Sequence, residues 1–532
     1  MNCIGRWGIR AAIVLLGVSS AALSGTAQEP PTFGWTGFHL DAGGGFGVAT
    51  HNAGFQLYEN LELPYESLNP DRDVRSIGAA ADFGGMGDLW SVGAGFDIQA
   101  GRIVIGILGD YTNGNINTEG VLFGAYCTED PGSADDCDTA TITNAGALGL
   151  TATIGESATV GARVGFLTSP RTLFYGLAGF SWNELTVTGT LDSILSGLQE
   201  ISTEPLWLRG FYYGVGIETL LTPNMSLRLE FRGTRFAIAG GDGDESFGIE
   251  FYDNVFVHAV RGTLSYRLGS ERGSRFADGA FNAEEVSWTG LYMGVAGGIG
   301  FANHNLGFEA WDYTSGGVFS VGGATFGVDV FSIGASIDLG ARGEQLSVIG
   351  GFDVELGNRL VVGLLGDYTF STARSTVSAL WFVCFDDPAV CNTPLDPLMP
   401  EPNRRVDLVL ATGNSVTLAG RIGMLTGPRT LLYALGGYSR YDMAVTATFY
   451  EDGVPTSEVF STALERSGIT FGGGIEAMLS HNLSLTLEYR GTLWAVDELI
   501  AGDAVDGFRV WDQSYVQTIR AGLSWRIGAK QD

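Results

Sequence analysis

The segment at residues 160–175 recurs almost unchanged at residues 418–433. Each copy alternates apolar residues with small or charged ones on both sides of a tight turn, Ser169-Pro170-Arg171 in one copy and Gly427-Pro428-Arg429 in the other. Alternation with a period of two residues is typical of a β-strand whose faces meet different surroundings. Each copy is therefore predicted to be a β-hairpin, and the spacing of the copies indicates a tandem duplication.

Further segments recur in the same order along the two halves. The pairs are 35–44 with 288–297, 102–112 with 359–369, 213–233 with 471–491, and 258–268 with 517–527. Each half is predicted to hold about eight strands. Short turns follow strands two, four and six, whereas long polar or acidic segments follow strands one, three, five and seven. This asymmetry is typical of an outer-membrane barrel, with short periplasmic turns and long extracellular loops.

The first residues resemble a secretory signal. Arg6 and Arg10 precede a short apolar run, and small residues follow it. No later run reaches the 18 or so apolar residues of a transmembrane helix. The predicted organisation is a signal peptide at 1–27, a barrel repeat at 34–269, a periplasmic linker at 270–287 and a second barrel repeat at 288–528.

Composition narrows the class of protein further. The chain contains 80 glycines in 532 residues, only 17% charged residues and a formal net charge of −30. Glycine interleaved with Val, Ile, Leu, Phe and Tyr favours packed all-β structure over disorder. The acidic balance argues against a nucleic-acid partner, because phosphates would be repelled.

Four cysteines form two close pairs, Cys127 with Cys137 and Cys384 with Cys391, at corresponding places in the two halves. Two disulfide bonds are predicted, because exported proteins fold in an oxidising compartment. A zinc site is the weaker alternative, since the chain has no Cys-x-x-Cys motif and no histidine near these residues. We expect neither a cofactor nor a metal ion.

A sparse set of charges shares one face of the predicted strands with the glycines, while larger apolar side chains hold the other face. A sheet that crosses a bilayer must close on itself, and closure would turn the charged face into the lumen. We expect these ions to pair, because an isolated ion in a narrow interior is costly. Arg163 is predicted to meet Glu218 or Glu230, and Arg421 to meet Glu476 or Glu488. The predicted lumen charges are Asp97, Asp110, Arg163, Glu218, Glu230, Arg232, Arg261, Asp353, Asp367, Arg421, Glu476, Glu488, Arg490 and Arg520.

Aromatic residues recur near the predicted strand ends. Interfacial girdles of a membrane barrel are expected there, although any single residue could simply be packed. The residues assigned to such girdles are Trp35, Tyr111, Tyr175, Trp182, Tyr266 and Trp525.

Taken together, several motifs resemble the small OmpA-like outer-membrane barrels. They are the Trp-Thr-Gly-aromatic openings, the Gly-x-Arg-x-Gly hairpins with Pro-Arg-Thr-Leu-x-Tyr, the Gly-Ile-Glu strands and the Arg-x-x-Leu-Ser-aromatic-Arg ends. The chain is most similar to the alphaproteobacterial outer-membrane surface-antigen (porin-like) family. The resemblance implies an eight-stranded barrel per repeat, inserted by the barrel-assembly machinery of a Gram-negative cell, with loops exposed at the surface. That family usually has one barrel, whereas this chain carries the motifs twice.

The same strands could form two barrels of eight or one of sixteen. Sixteen strands would enclose a water-filled channel, whereas eight leave room only for side chains. The predicted lumen is mostly Gly, Ala, Ser and Thr with one compact charge set per repeat. Two tandem eight-stranded transmembrane barrels are therefore predicted, with one sixteen-stranded barrel as the alternative.

The leading functional hypothesis is a non-enzymatic protein that stabilises the envelope and presents acidic loops. The loops could reach lipopolysaccharide or a host surface through divalent cations. The residues concerned are Glu129, Asp130, Asp135, Asp136, Asp138, Asp386 and Asp387. A porin-like channel for small solutes is the alternative, followed by an outer-membrane enzyme and then by a soluble adhesion module. The enzyme hypothesis depends on His51-Asn52 and His304-Asn305, which would more often be ordinary exposed loop residues.

Overall fold

The computed structural model consists of β-strands joined by turns and loops. It describes residues 34–59, 72–128, 144–193, 199–243, 247–268, 286–312, 317–321, 324–357, 359–385, 404–451, 454–494, 497–502 and 506–527. No helix long and apolar enough to cross a membrane occurs within these ranges. The predicted signal peptide and most of the predicted linker lie outside them, so the proposed boundaries stay predictions.

Every strand pairing is antiparallel. The first half comprises β1 (Gly37–Glu59), β2 (Arg72–Ala100), β3 (Ile103–Thr128), β4 (Asn144–Ser169), β5 (Thr172–Ser193), β6 (Gln199–Ser202), β7 (Leu206–Leu220), β8 (Met225–Gly243) and β9 (Phe247–Leu268). The second half comprises β10 (Gly290–Asp312), β11 (Gly317–Val321), β12 (Ala324–Leu356), β13 (Leu360–Ser371), β14 (Ala373–Phe385), β15 (Arg404–Gly427), β16 (Thr430–Glu451), β17 (Val454–Met478), β18 (Leu483–Trp494), β19 (Asp497–Gly502) and β20 (Asp506–Ile527).

Four of these twenty elements are not separate members of the ring. β6, β14 and β19 continue the interrupted strands β7, β13 and β18, and β11 is a short hairpin partner of β12. Sixteen ring strands remain, eight in each half. The prediction of an all-β, up-and-down antiparallel barrel is therefore confirmed.

Short turns gather at one end of the strands, which we call the turn end. Two-residue turns at 101–102, 170–171 and 428–429, and four-residue turns at 221–224 and 479–482, join successive strands there. We call the opposite end the loop end. The turns at Pro170 and Pro428 are those that the repeated hairpins predicted.

Near the turn end each half closes on itself. In the first half β1 pairs with β9 from Phe38 opposite Leu268 up to Glu59 opposite Phe247. In the second half β10 pairs with β20 in the corresponding way. Two eight-stranded rings therefore stand side by side, as the leading architectural prediction expected.

Nearer the loop end the two rings join into one. β3 pairs with β2 only as far as Asn117, and from Gly120 to Thr128 it pairs instead with β12 of the second half. Reciprocally, β2 pairs with β14 from Ala81 to Arg72. The ring thus passes from β2 into β14 and returns from β12 into β3, which gives sixteen strands. The alternative architecture is therefore also present, at a different height.

The point where the rings divide, which we call the fork, is built by equivalent residues of both halves. The side chain of Asp82 on β2 accepts hydrogen bonds from Asn52 (2.7 Å) and from the backbone N–H of Thr376 on β14 (2.8 Å). Asp338 on β12 accepts the corresponding bonds from Asn305 (2.7 Å) and the N–H of Glu119 on β3 (3.1 Å). Each carboxylate thus accepts a hydrogen bond from a backbone N–H of the other half, at the end of the ladder between the halves. It takes the place of a backbone carbonyl, which the diverging strand no longer supplies there.

Below the fork the outer walls of the two rings pack against one another. At the turn end, the Thr172 and Thr430 hydroxyls lie 2.8 Å apart, and Arg171 donates to the carbonyl of Thr426. Higher up, the outward side chains form one apolar cluster that includes Val48, Ile217, Phe231, Phe301, Ile475, Leu487 and Ile519. Strand tilt carries this contact line across successive strands from β5 to β2, since barrel strands wind around the axis.

The contact at the turn end yields a first prediction. Replacing Thr172 and Thr430 by cysteine should give a disulfide-linked pair on mild oxidation, because their hydroxyls are in hydrogen-bond contact. The measurement is electrophoretic mobility after a protease cut between the halves, in a background whose native cysteines are serine. Cysteine at Thr172 and at Thr417, which faces the second lumen, is the matched control and should not cross-link. Two uncoupled halves would give no cross-link in either variant.

The outer surface carries an apolar band next to the turn end. Its exposed side chains include Ile105, Ile107, Val164, Leu346, Val348, Leu364, Leu418 and Ile422. Aromatic residues mark its upper edge, among them Trp90, Trp182, Phe211, Tyr368 and Tyr438, and polar residues such as Glu344 and Arg440 follow. A lipid-facing band bordered by aromatic residues is the pattern of a transmembrane barrel.

The prediction of an interfacial girdle is wrong for two residues. Trp35 is fully buried, and Tyr175 is 1% exposed, because both point into the first lumen. Trp182, Tyr266 and Trp525 do face outward, with 38–54% exposure. For Tyr175 the error arises because β5 is apolar on both faces: Leu173 and Leu177 share the inward face with Tyr175.

Candidate functional site: the charged lumens

A tryptophan closes each lumen at the turn end. The indole N–H of Trp35 donates to the carbonyl of Pro170 (3.2 Å), and that of Trp288 donates to the carbonyl of Pro428 (3.1 Å). The guanidinium of Arg267 lies 4.5 Å from the Trp35 ring centre, and that of Arg526 lies 4.7 Å from the Trp288 ring centre. The repeated Trp-Thr-Gly and Pro-Arg-Thr motifs therefore meet, which explains why they recur together.

Above the tryptophan of the first half lies a buried ion-pair group. Arg163 donates to Asp97 (2.9 and 2.5 Å) and to Glu218 (2.8 Å). Arg267 bonds to the same two carboxylates at 3.0 Å each. Ser226 also donates to Glu218. Each acid thus receives more than one charge-assisted hydrogen bond, which offsets the cost of its burial.

A second group follows it toward the loop end. Arg232 bridges Glu230 and Asp110, each at 2.5 Å, and Arg261 reaches Asp110 at 2.9 Å. The hydroxyl of Tyr175 donates to the other oxygen of Glu230 (2.6 Å). The two groups together fill the cross-section of an eight-stranded barrel, whose interior has room only for side chains.

The second lumen repeats both groups. Arg421 and Arg526 bind Asp353 and Glu476, and Arg490 and Arg520 bind Glu488 and Asp367. Tyr433 donates to Glu488, as Tyr175 does to Glu230. All fourteen lumen charges predicted from the sequence therefore lie in these two networks. The partner of Arg163 is Glu218, and that of Arg421 is Glu476.

Several network residues were missed by the sequence analysis. Arg267 lies an even number of residues after Arg261, and Arg526 an even number after Arg520, so each pair shares a strand face. Strand parity alone could therefore have found Arg267 and Arg526. Arg228, which pairs with Asp41 at 2.7 Å, has Thr486 at the corresponding position of the second half. Comparison of the halves therefore could not have found this pair.

The charges of the two networks cancel within each barrel. In the first barrel Asp41, Asp97, Asp110, Glu218 and Glu230 face Arg163, Arg228, Arg232, Arg261 and Arg267. In the second barrel four acids, Asp353, Asp367, Glu476 and Glu488, face four arginines, Arg421, Arg490, Arg520 and Arg526. The acidic excess of the chain therefore lies outside these networks.

An inward apolar layer covers each network toward the loop end. It contains Ala49, Ile116, Ile154, Leu185, Phe236 and Val255 in the first barrel, and Ala302, Leu410, Tyr441, Met443, Trp494 and Val516 in the second. Between network and layer, the second barrel keeps a hydroxyl-lined space of about 40 Å³ beside Thr417, Ser439 and Thr470, which is enough for a few water molecules. The lumen is thus less polar than the predicted Gly, Ala, Ser and Thr lining.

The repeated His-Asn motifs were expected to be ordinary exposed loop residues, but they are not. His51 is buried inside the first barrel, where Nδ1 lies 2.8 Å from Asp253. His304 is fully buried in the second barrel, where Nδ1 lies 2.8 Å from the Ser514 hydroxyl. Their neighbours Asn52 and Asn305 hold the carboxylates of the fork. Within the described ranges, no group of three or more His, Cys, Asp or Glu side chains is arranged to hold a metal ion.

Several predicted loop features cannot be placed. Cys137 and Cys391 lie outside the described residues, as do the acidic loop residues between Glu129 and Asp138 and at Asp386 and Asp387. Cys127 lies on β3 and Cys384 on β14, the two strands that join the halves above the fork. The two disulfide bonds therefore stay predictions.

Residues 11–267, just under half of the chain, match the family model described as outer membrane protein beta-barrel domain. No curated protein matches the chain. Among solved structures, Ail of Yersinia pestis is similar at 12% identity over 45% of this chain and 99% of Ail, with a TM-score of 0.19. The toluene transporter TodX of P. putida is 11% identical over 93% of this chain and 91% of its own, with a TM-score of 0.21. A Pseudomonas aeruginosa FadL homologue is 12% identical over 92% of this chain and 90% of its own, with a TM-score of 0.23.

These TM-scores lie below 0.5, and the structural likenesses carry no argument about function. The location of the protein follows from the family match together with the closed sheet and its apolar outer band. The protein is a β-barrel of the outer membrane of a Gram-negative cell.

Proposed function

We propose that this outer-membrane β-barrel protein has a structural and surface-interaction role and no enzymatic activity. The observation that carries the proposal is the filling of both lumens. Each contains a tryptophan, two ion-pair groups and an apolar layer in sequence along its axis. Such an interior is a packed core, so the function is assigned to the outer wall and the loop end.

The finer attributes of this role are part of the same proposal. We infer that the halves arose by tandem duplication, since lumen networks, fork residues and tryptophan plugs correspond between them. Membership of the alphaproteobacterial surface-antigen family rests on the motif resemblance. The expected partners are outer-membrane lipid and lipopolysaccharide, the barrel-assembly machinery and a host or surface ligand bound by acidic, disulfide-pinned loops, with nucleic acid excluded by charge.

The competing candidate is a channel for small solutes, and the sixteen-stranded section favours it. A ring of that size is wide enough to be filled with water. That section continues, however, into two eight-stranded rings instead of one wide pore. A solute would have to cross a charge network in either ring, which requires breaking several buried ion pairs.

Conductance separates the two candidates. The purified full-length chain in planar bilayers should give no large, stable conductance steps, because each lumen is closed by its tryptophan, its ion-pair groups and its apolar layer. A sixteen-stranded porin in the same bilayer is the positive control, and heat-denatured protein is the negative control. Long-lived steps of porin size from the folded chain would reject the structural role and establish the channel.

The loop-based part of the role needs its own test. Deleting the acidic segments 129–138 and 386–387 should weaken binding of cells to surfaces and make envelope integrity less sensitive to chelators, if divalent cations bridge these loops. Folding is checked by heat-modifiable gel migration. Unchanged binding and chelator sensitivity would remove the loops from the proposal while leaving the barrel's structural role in place.

A further inference from the structure

One side of the contact between the barrels carries a cluster of arginines. Arg342 on β12 and Arg374 on β14 are direct cross-strand partners beside the fork. The guanidinium of Arg342 reaches across to the first half, where it lies 4.3 Å from the ring centre of Phe256. Arg235, the cross-strand partner of Phe256, lies 5.3 Å from the same ring centre. Two cations thus flank one aromatic side chain, and Arg374 lies opposite one of them. We call this group the arginine cleft.

The arginines of the cleft outnumber the described carboxylates beside them. Like charges directly opposite each other on paired strands are unfavourable. None of its three arginines forms an ion pair with a residue in the described ranges. The described carboxylates beside the cleft are two. Asp82 attracts Arg374 but is already held by Asn52 and Thr376, and Glu344 is exposed two residues from Arg342 on the same strand face. The cleft therefore keeps an excess of positive charge in a strongly acidic protein.

The opposite side of the molecule shows that the fold does not need these cations. There the pair that corresponds to Arg342 and Arg374 is Met86 and Asn117. The pair that corresponds to Arg235 and Phe256 is Leu493 and Tyr515. The same strand geometry is thus built with neutral side chains, so the arginines have a different purpose.

A buried polar side chain also distinguishes this side from the other. His258 lies behind Phe256 and is 3% exposed, and within the described residues neither ring nitrogen has a hydrogen-bond partner. Its counterpart Gln517 receives a hydrogen bond from Tyr489, which also contacts Tyr515. The neutral cleft is internally satisfied, whereas the arginine cleft is not.

The position of the arginine cleft identifies the occupant. Arg235 is the cross-strand partner of the exposed band residue Phe211, and Arg342 lies four residues above the exposed Leu346. The cluster thus borders the upper edge of the lipid-facing band, where lipid headgroups lie. Arginine forks match phosphate geometry, and basic residues beside a bilayer attract anionic headgroups.

We propose that the arginine cleft binds a phosphate group of lipopolysaccharide in the outer leaflet. This inference rests on the proposed envelope role and names a specific contact for it. The contact would hold one lipid in the groove between the barrels. It uses the outer wall only, so it is independent of what passes through the lumens.

The test uses the folded full-length chain in detergent and bisphosphorylated lipid A as the probe. R342M/R374N places the residues of the neutral cleft in the arginine cleft, so it should fold normally. We expect it to bind lipid A about thirtyfold more weakly, from roughly one headgroup attraction per arginine. An independent variant, Arg235→Leu, should weaken binding about fivefold. Heat-modifiable migration verifies folding of each variant.

The reciprocal variant adds the cations to the other side. M86R/N117R should raise the lipid A stoichiometry from one to two, because the cleft geometry is already present. Unchanged affinity in R342M/R374N, or equal binding of lipid A stripped of phosphates, would overturn the proposal. Equally tight binding of inorganic phosphate would also overturn it, by assigning the cleft to a soluble anion. Porin-like conductance would reject the proposed function without changing any of these binding results.

Discussion

Replacing Arg163 by methionine should lower the free energy of unfolding by about 3–5 kcal/mol. Arg163 is 1% exposed and joins Asp97 and Glu218, neither of which is accessible to water. Without it, Arg267 is the one arginine left in direct contact with these two buried carboxylates. The penalty is large because an unpaired buried charge loses its hydration and gains nothing in return. Urea titration of the protein in lipid vesicles, followed by heat-modifiable migration, measures the change.

Three further variants test that reason. Arg421→Met, at the corresponding position of the second barrel, should cost a similar amount, because its contacts to Asp353 and Glu476 are the same. R163M/E218Q removes one charge of each sign and should recover part of the loss. Arg440→Met breaks an ion pair with Glu465 whose side chains are 58% and 64% exposed, and it should cost at most about 0.5 kcal/mol. If Arg163→Met cost no more than Arg440→Met, the lumen network would not be a source of stability.

Replacing Gly84 by valine should separate the halves at the fork. A Cβ at Gly84 would lie 2.6 Å from the Cα and 2.8 Å from the N of Gly340, and a Cβ at Gly340 would lie 2.6 Å from the carbonyl oxygen of Phe83. A Cβ at Gly84 would also meet the side chain of Asn303, which could move aside, but the backbone atoms of Gly340 and Phe83 could not. We expect a cost of about 3 kcal/mol, at the upper end of the range for overpacking. The cross-half ladders should therefore open while both eight-stranded rings persist.

Hydrogen exchange resolves this outcome by position. In Gly84→Val, the backbone amides of 120–128 and 377–385 that donate across the halves should lose protection, because only those belong to the cross-half ladders. Amides of β1 that pair with β9 should keep theirs. Gly436→Val is the matched control, since a Cβ at Gly436 meets nothing within 4 Å. Full protection at 120–128 in Gly84→Val would show that the fork tolerates separation of its two backbones.

The alternation of residues along the strands predicted which side chains share a face, in addition to where strands occur. Charged residues two apart on one strand, such as Glu230 and Arg232, had to share a face, and the duplicate sequence confirmed which residues belong together. Tyr175 shows the limit of the method, because a strand that is apolar on both faces gives no signal of which face is inside. Arg228 and Asp41 show another, since they have no charged counterparts in the second half.

The fork could not have been predicted from local pattern. β2 and β3 carry the same alternation below and above it, and nothing in their sequences marks where they exchange partners. The residues that terminate the exchange, Asp82 and Asp338, are single carboxylates within long strands. Their partners Thr376 and Glu119 lie more than 200 positions away, and only the assembled structure brings them together. For the same reason, the choice between eight and sixteen strands had no single answer.

Above the fork, β2 and β3 no longer pair with each other, and each pairs with a strand of the other half instead. This arrangement is a reciprocal domain swap within one chain. Nothing in that exchange depends on the covalent link between the halves, because every swapped ladder is made of ordinary antiparallel pairs. The link changes only the concentration at which one half meets the other, to the millimolar range for a short tether. Without the link, the two barrels would have to meet by diffusion in the plane of the membrane. The link keeps them together from the moment of synthesis.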